Sequence, residues 1–109
     1  CSNNRLTSLN AQKLVSLQIL LCWKNRLTTL EVKEVATLEE LDCSDNQVTN
    51  LNLQGMTALV ELYCLNNQVN NLNLEGVTAL ELLDCSSNQL TNLNLNGLGA
   101  LEMLNLEDN

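Results

Sequence analysis

The sequence has no His, Phe or Pro, four Gly and two aromatic residues, Trp23 and Tyr63. Without His, no Ser or Cys has the usual imidazole base beside it, so the common Ser–His and Cys–His forms of nucleophilic catalysis are excluded. No Gly-rich phosphate loop is present either. Without Phe, the core must be aliphatic. No apolar run reaches the ~18 residues of a membrane-spanning helix, and no signal peptide opens the chain. We therefore expect no enzyme activity, no cofactor and no membrane insertion.

Basic residues are also scarce, and they are unevenly placed. The chain has 5 Lys and Arg against 13 Asp and Glu, for a formal net charge of −8. All five basic residues lie in the first 33 positions, and from Glu34 onward every charged residue is acidic. Because nucleic-acid binding requires a basic surface, nucleic acid is not expected as a partner. The acidic surface favours solubility, and the alternative is electrostatic steering of a basic partner.

What the chain does have is a 21-residue repeat that covers its whole length. The cysteines stand at 1, 22, 43, 64 and 85, and an asparagine follows three residues after each. Four apolar columns keep the same period, of which one is Leu20, Leu41, Leu62, Leu83 and Leu104. Self-similarity at such a period is the signature of a solenoid. We expect residues 1–109 to be one domain of about five repeats, an uncapped fragment of a longer protein.

One unit, read from Leu38, has the L-x-x-L-x-L-x-x-N-x-L phrase of leucine-rich repeats, with Cys43 in the third apolar position. Part of the phrase returns at Val48-x-x-Leu51-x-Leu53, so each coil should have two short straight walls and little helix. In Leu41-Asp42-Cys43 the first and third side chains should point inward and the second outward. We predict an α/β-type leucine-rich-repeat solenoid, mostly β. Its expected form is a right-handed superhelix with a parallel sheet on the concave side.

Two polar columns have predicted structural roles. The asparagines Asn25, Asn46, Asn67 and Asn88 stand where the chain leaves the strand, and their amides offer both donors and an acceptor to backbone groups. Gly55, Gly76 and Gly97 share another column and predict turns with positive φ, which the first two coils fill with Lys13 and Glu34.

The cysteines Cys22, Cys43, Cys64 and Cys85 invite disulfide or metal interpretations. Their stacked inward positions, about 4.8 Å apart, suit neither disulfide geometry nor a Cys-x-x-Cys zinc site. We predict a stack of buried free thiols that fills the core, and no metal site. Cys1 belongs to the same column, which favours a repeat position over a lipidated N-terminus.

The columns resemble the 21-residue repeats of bacterial surface proteins of the internalin J type. The resemblance rests on C-S-x-N-Q-L/V-T-x-L-x-L, seen from Cys43 to Leu53 and again from Cys85 to Leu95. It covers the whole chain. It implies a secreted or bacterial cell-surface protein that acts in adhesion to, or recognition of, host or neighbouring cells.

Recognition must use the outward positions, because the inward columns form the core. On the predicted main sheet the outward columns begin at Ile19, Leu21 and Trp23, and they contain both aromatic residues. The predicted partner-binding set is Ile19, Leu21, Trp23, Glu40, Asp42, Glu61, Tyr63, Leu65, Leu82 and Asp84. Exposed aromatic residues on a rigid sheet are typical interface anchors. The second wall carries uniform columns of polar residues, mostly Asn.

Three functions are compatible with these sequence features. The first is a recognition module that binds a protein ligand, such as a host cell-surface protein, through the main sheet. The second is a structural spacer or stalk, for which uniform polar columns are typical. The third is a carbohydrate- or Ca²⁺-binding surface, suggested by the neighbouring carboxylates of Glu40, Asp42 and Glu61. Glycosidase chemistry at those carboxylates lacks a pocket.

Overall fold

The computed structural model describes all 109 residues and shows a β-solenoid of about five turns with parallel sheets and no helix. Its nine strands are three residues each, which fits two short walls per 21-residue coil. They are β1 Ser8–Asn10, β2 Ile19–Leu21, β3 Thr29–Glu31, β4 Glu40–Asp42, β5 Asn50–Asn52, β6 Glu61–Tyr63, β7 Asn71–Asn73, β8 Leu82–Asp84 and β9 Met103–Asn105. No helix with the length and apolar character of a membrane crossing is present.

We number coils 1 to 5 from Cys1, Cys22, Cys43, Cys64 and Cys85. The main sheet has five parallel strands in the order β2-β4-β6-β8-β9, one from each coil. Its register is one repeat, so Leu20 pairs with Leu41, and the Leu column continues to Leu104. Equivalent residues therefore lie side by side across the sheet, as the repeat predicts.

The second wall is formed by residues 8–10, 29–31, 50–52, 71–73 and 92–94. It is not one sheet: β1 pairs with β3, and β5 pairs with β7, but no ladder joins β3 to β5. Residues 92–94 form no strand. The second wall is therefore paired between coils 1 and 2 and between coils 3 and 4, and it is unpaired at the two other interfaces.

The core lies between the two walls and consists of 24 buried apolar residues. Leu41, Leu62 and Leu83 are fully buried in the main-sheet column, and Leu51 is fully buried in the second wall. Each such side chain stabilises the fold by about 1.5–3 kcal/mol relative to an exposed one. The core contains no aromatic residue, so stability depends on stacking aliphatic coils rather than on a few large side chains.

The cysteine column faces this core. Cys22, Cys43, Cys64 and Cys85 are fully buried free thiols, and Cys1 is an exposed one. Burial raises the pKa of Cys22 to about 11 and raises the pKa of Cys43 well above its ordinary value. Interaction with the Cys85 thiol, together with burial, raises the pKa of Cys64, and interaction with the Cys64 thiol lowers that of Cys85.

The asparagine column joins each coil to the one before it. The Asn67 Nδ2 donates to the carbonyl oxygens of Cys64 at 3.1 Å and Leu65 at 3.2 Å in the turn of its own coil. It also donates to the carbonyl of Cys43 in coil 3 at 3.0 Å, while its Oδ1 accepts the Val48 N–H at 3.0 Å. The same bonds to the preceding coil recur at Asn25, Asn46, Asn88 and Asn109.

Two columns of residues adopt positive φ, one at each kind of turn. Gly55, Gly76 and Gly97 have φ of 78°, 79° and 86°, which confirms the predicted turns, and Glu34 holds the same conformation at 69° without being glycine. The second column, just before the asparagines, was missed: Asn3, Lys24, Asp45, Asn66, Ser87 and Asp108 all have φ between 50° and 57°. The sequence feature that could have revealed this column is its content of Asn and Asp, because these residues tolerate the left-handed region better than other non-glycine residues do.

Candidate functional site

The outward side of the main sheet, which we call the front face, carries two residues from each strand. From β2 to β9 these are Ile19 and Leu21, Glu40 and Asp42, Glu61 and Tyr63, Leu82 and Asp84, and Met103 and Asn105. The strand alternation that buries the central Leu of each strand turns both of its neighbours outward. On the three central strands these neighbours are half-buried, and on β2 they are exposed.

Tyr63 lies at the centre of this face, on the middle strand of the sheet. It is paired in register with Asp42 on one side and Asp84 on the other. Its hydroxyl donates to Glu61 Oε2 at 3.0 Å. Partial desolvation, this hydrogen bond and the field of the neighbouring carboxylates raise its pKa. The Tyr63 side chain is therefore anchored to Glu61 and has acidic residues on both neighbouring strands.

Exposed apolar side chains occupy the two edges of the front face. Ile19 is 55% exposed and Leu21 39% exposed on β2, and Met103 is 57% exposed on β9. Met103 was not in the predicted partner-binding set, although its strand position is equivalent to that of Leu82. The face thus combines apolar edges with a polar, acidic centre.

The third predicted outward column requires a correction. Trp23, Ser44, Leu65 and Ser86 come after the ends of the three-residue strands, so strand alternation does not govern their direction. Ser44 and Ser86 are 6% and 8% exposed. They are buried in the turn rather than presented on the sheet.

Trp23 and Leu65, from the same column, are half-buried. The Lys24 ammonium lies 5.3 Å from the centroid of the Trp23 ring, within the range of a cation–π contact. Trp23 therefore already has a partner within the chain, whereas no cation covers the Tyr63 ring.

The aspartates of the front face also stabilise their own turns. Asp42 Oδ1 accepts the Ser44 N–H at 3.0 Å, and Asp84 Oδ1 accepts both the N–H and the hydroxyl of Ser86, at 3.0 and 2.6 Å. Such bonds to the residue two positions on are typical of Asx turns. This role was missed from the sequence, where Asp42 and Asp84 were assigned to partner binding and Asp42 also to the carbohydrate- or Ca²⁺-binding alternative.

The carboxylates of the front face have no cation close by. The single ion pair of the chain joins Lys33 and Glu34 at 3.6 Å, in the turn after the second wall. Glu40 and Glu61 are neighbours across the ladder, as predicted. No three acidic or cysteine side chains converge closely enough to hold a metal ion.

A shallow groove crosses the front face between β6, β8 and β9. It is lined by three acidic residues, Glu61, Glu81 and Glu102, and two aliphatic ones, Leu82 and Met103, and its volume is about 280 Å³. This combination suits a long cationic side chain, whose stem packs on apolar surface while its charged end meets carboxylates.

In comparisons with known proteins, no family model, curated protein or solved structure matches the chain.

Proposed function

We propose that this chain is a leucine-rich-repeat recognition module that binds a protein through its front face. In this proposal the solenoid is a right-handed superhelix with the main sheet on its concave side. The module belongs to a secreted or cell-surface bacterial protein of the internalin J type, and its ligand is a protein on a host or neighbouring cell. The observation that carries the proposal is the position of Tyr63.

The fold does not require an aromatic residue at that position. The same column holds Leu21, Asp42, Asp84 and Asn105 in the other coils, so the sheet accepts polar and aliphatic residues there equally well. Tyr is one of the residues most enriched at interface hot spots, because it buries a large rigid ring at low entropic cost. A central Tyr with apolar residues at both edges of a five-stranded sheet suits a macromolecular ligand better than a small molecule.

Variation from coil to coil favours recognition over a spacer role. On the front face the column through Tyr63 changes from apolar to acidic to aromatic, whereas the second wall repeats Asn at 50, 71 and 92. A spacer needs only surface that keeps it soluble, for which a uniform column is sufficient. The acidic centre would raise the association rate of a basic ligand and repel an acidic one.

Binding to intact cells tests the proposal. The protein would be labelled at the exposed Cys1 thiol and titrated onto cultured mammalian epithelial cells and onto bacterial cells, with flow cytometry as the readout. We expect saturable binding that mild protease treatment of the cells removes. Tyr63→Ala should weaken it by roughly 30-fold, the equivalent of a hot spot of about 2 kcal/mol.

The matched control is Asn71→Ala on the second wall, which should leave binding unchanged. A loss of binding in Asn71→Ala but not in Tyr63→Ala would show that the wrong face was chosen. No binding of the wild-type protein to either cell type would leave the spacer as the better interpretation.

A further inference from the structure

The second wall opens at every other interface between coils. β1 and β3 are paired, as are β5 and β7, but β3 and β5 belong to separate sheets, and residues 92–94 do not pair with β7. The main sheet is continuous across the same coils. The two unpaired interfaces therefore form clefts on the second wall only, one between coils 2 and 3 and one between coils 4 and 5.

The first cleft has a volume of about 340 Å³ and is polar. Thr29 and Glu31 line it from coil 2, and Thr49, Asn50 and Asn52 line it from coil 3. Asn52 uses its Oδ1 to accept the Gln54 N–H at 3.1 Å, which orients its amide. The other four side chains form no hydrogen bond within the chain, so the cleft presents free hydroxyls, a free amide and a free carboxylate.

The second cleft, about 370 Å³ in volume, lies two coils further along and has similar chemistry. It is lined by Asn73 and Glu75 from coil 4 and by Asn94 and Asn96 from coil 5. Asn73 and Asn94 are oriented as Asn52 is, each by accepting an N–H two residues on, at 3.0 and 2.9 Å. The Glu75 carboxylate accepts a bond from the side chain of Gln54 at 3.0 Å.

The residues of the clefts select the class of ligand. Neither cleft is lined by Lys or Arg, and each has one carboxylate, so phosphates and acidic groups are disfavoured. Neither has an aromatic ring on which a nucleobase would stack. Most of the lining is polar, so an apolar ligand would leave hydrogen-bonding groups unpaired. A ligand rich in neutral hydroxyl groups fits this lining, because a hydroxyl can both donate and accept a hydrogen bond. It can therefore pair with the amides, the hydroxyls and the carboxylate of the clefts.

We propose that the two clefts of the second wall bind a neutral, linear, β-1,4-linked oligosaccharide that lies along the solenoid. The clefts are separated by two coils, about 10 Å at the strand spacing of about 4.8 Å. A β-1,4-linked chain reverses the orientation of successive sugars, so it presents the same groups at every second residue. One chain of four or more sugars therefore reaches both clefts. This site is separate from the front face and does not depend on the function proposed for it.

The test is a titration of ¹⁵N-labelled protein with hexasaccharides of β-1,4-linked glucose and of β-1,4-linked N-acetylglucosamine, followed through the side-chain amide signals of asparagine. We expect shifts at the five asparagines that line the clefts, Asn50, Asn52, Asn73, Asn94 and Asn96. The hexasaccharide should bind at least tenfold more tightly than the disaccharide, because only the longer chain occupies both clefts. Asn50→Ala should weaken binding by about threefold to tenfold, the loss of one hydrogen bond.

Asn71→Ala is the matched control. Asn71 pairs in register with Asn50, forms no side-chain hydrogen bond and lines neither cleft, so its replacement should change nothing. Tyr63→Ala should also bind the hexasaccharide as the wild type does, which separates this site from the front face. No shift with either hexasaccharide would overturn the proposal, as would binding that Asn50→Ala leaves unchanged or that depends on Tyr63.

Discussion

Replacing Asn67 with Ala removes the side chain that joins coils 3 and 4 at the end of the main sheet. The three carbonyls that lose a donor keep other partners: Cys43 still accepts from the Asn46 side chain, Cys64 from the Asn88 side chain, and Leu65 from the Asp45 N–H. The Val48 N–H has no second acceptor, and Val48 is fully buried. The substitution therefore leaves one buried backbone donor, the Val48 N–H, without a hydrogen-bond partner.

An unsatisfied buried donor costs about 1–3 kcal/mol, and this is the loss of unfolding free energy that we expect. Asn67 is well placed for the measurement because it lies in the middle of the solenoid. A terminal coil can unfold locally, and the measured loss of stability would then underestimate the effect of a substitution there. Urea denaturation should show a lower midpoint with an unchanged m-value. In a thermal scan the shift should be about 4–8 °C per kcal/mol for a chain of this size.

Asn71→Ala is again the control, since Asn71 is exposed and forms no side-chain hydrogen bond, and it should cost less than about 0.5 kcal/mol. Equal denaturation midpoints for Asn67→Ala and Asn71→Ala would refute the reasoning. They would show that a residue of the asparagine column contributes no more to stability than a surface residue does.

A second variant, Asn67→Asp, separates the two functions of the amide. It keeps an acceptor for the Val48 N–H but, when ionised, directs negative charge at the carbonyls of Cys43, Cys64 and Leu65. The folded state should therefore favour the protonated acid and raise its pKa above the unfolded value of about 3.9. Relative to the wild type at each pH, this variant should be most stable below about pH 4 and lose stability as the pH rises.

Three further predictions follow from the turns and the titrating groups. Gly76→Ala should cost about 1 kcal/mol in urea denaturation, because φ at this position is +79°, whereas Gly99→Ala, without positive φ, should be neutral or slightly stabilising. Tyr63 is the single Tyr of the chain, so absorbance titration of the phenol should give a midpoint above 10, and Glu61→Gln should bring it closer to 10; an unchanged midpoint in that variant would exclude the carboxylate as a cause. The pKa of Cys22 is raised to about 11 in the folded state, so its contribution to stability is complete below pH 9 and should be lost between about pH 9 and 11, and Cys22→Ala should show a shallower fall over that window.

The repeat alone determined much of this protein. A period of 21 identifies equivalent residues, and equivalent residues of a solenoid must stack, so the register of the main sheet follows from the sequence without further information. Strand alternation then assigned Leu41 and Cys43 to the core and placed Tyr63 outward between Asp42 and Asp84. The glycine column predicted positive φ because no other residue adopts that conformation so readily.

Only the tertiary structure decided where the periodicity fails. A repeat shows that coils are equivalent, but it does not give the separation of successive coils, which depends on how all side chains of both coils pack. The sequence showed the polar columns of the second wall but not its pairing, which is interrupted at two interfaces, and at one of them Thr29 and Asn50 line a cleft. Strand length was also undetermined: three-residue strands end before Ser44 and Ser86, so these residues turn into the fold rather than outward.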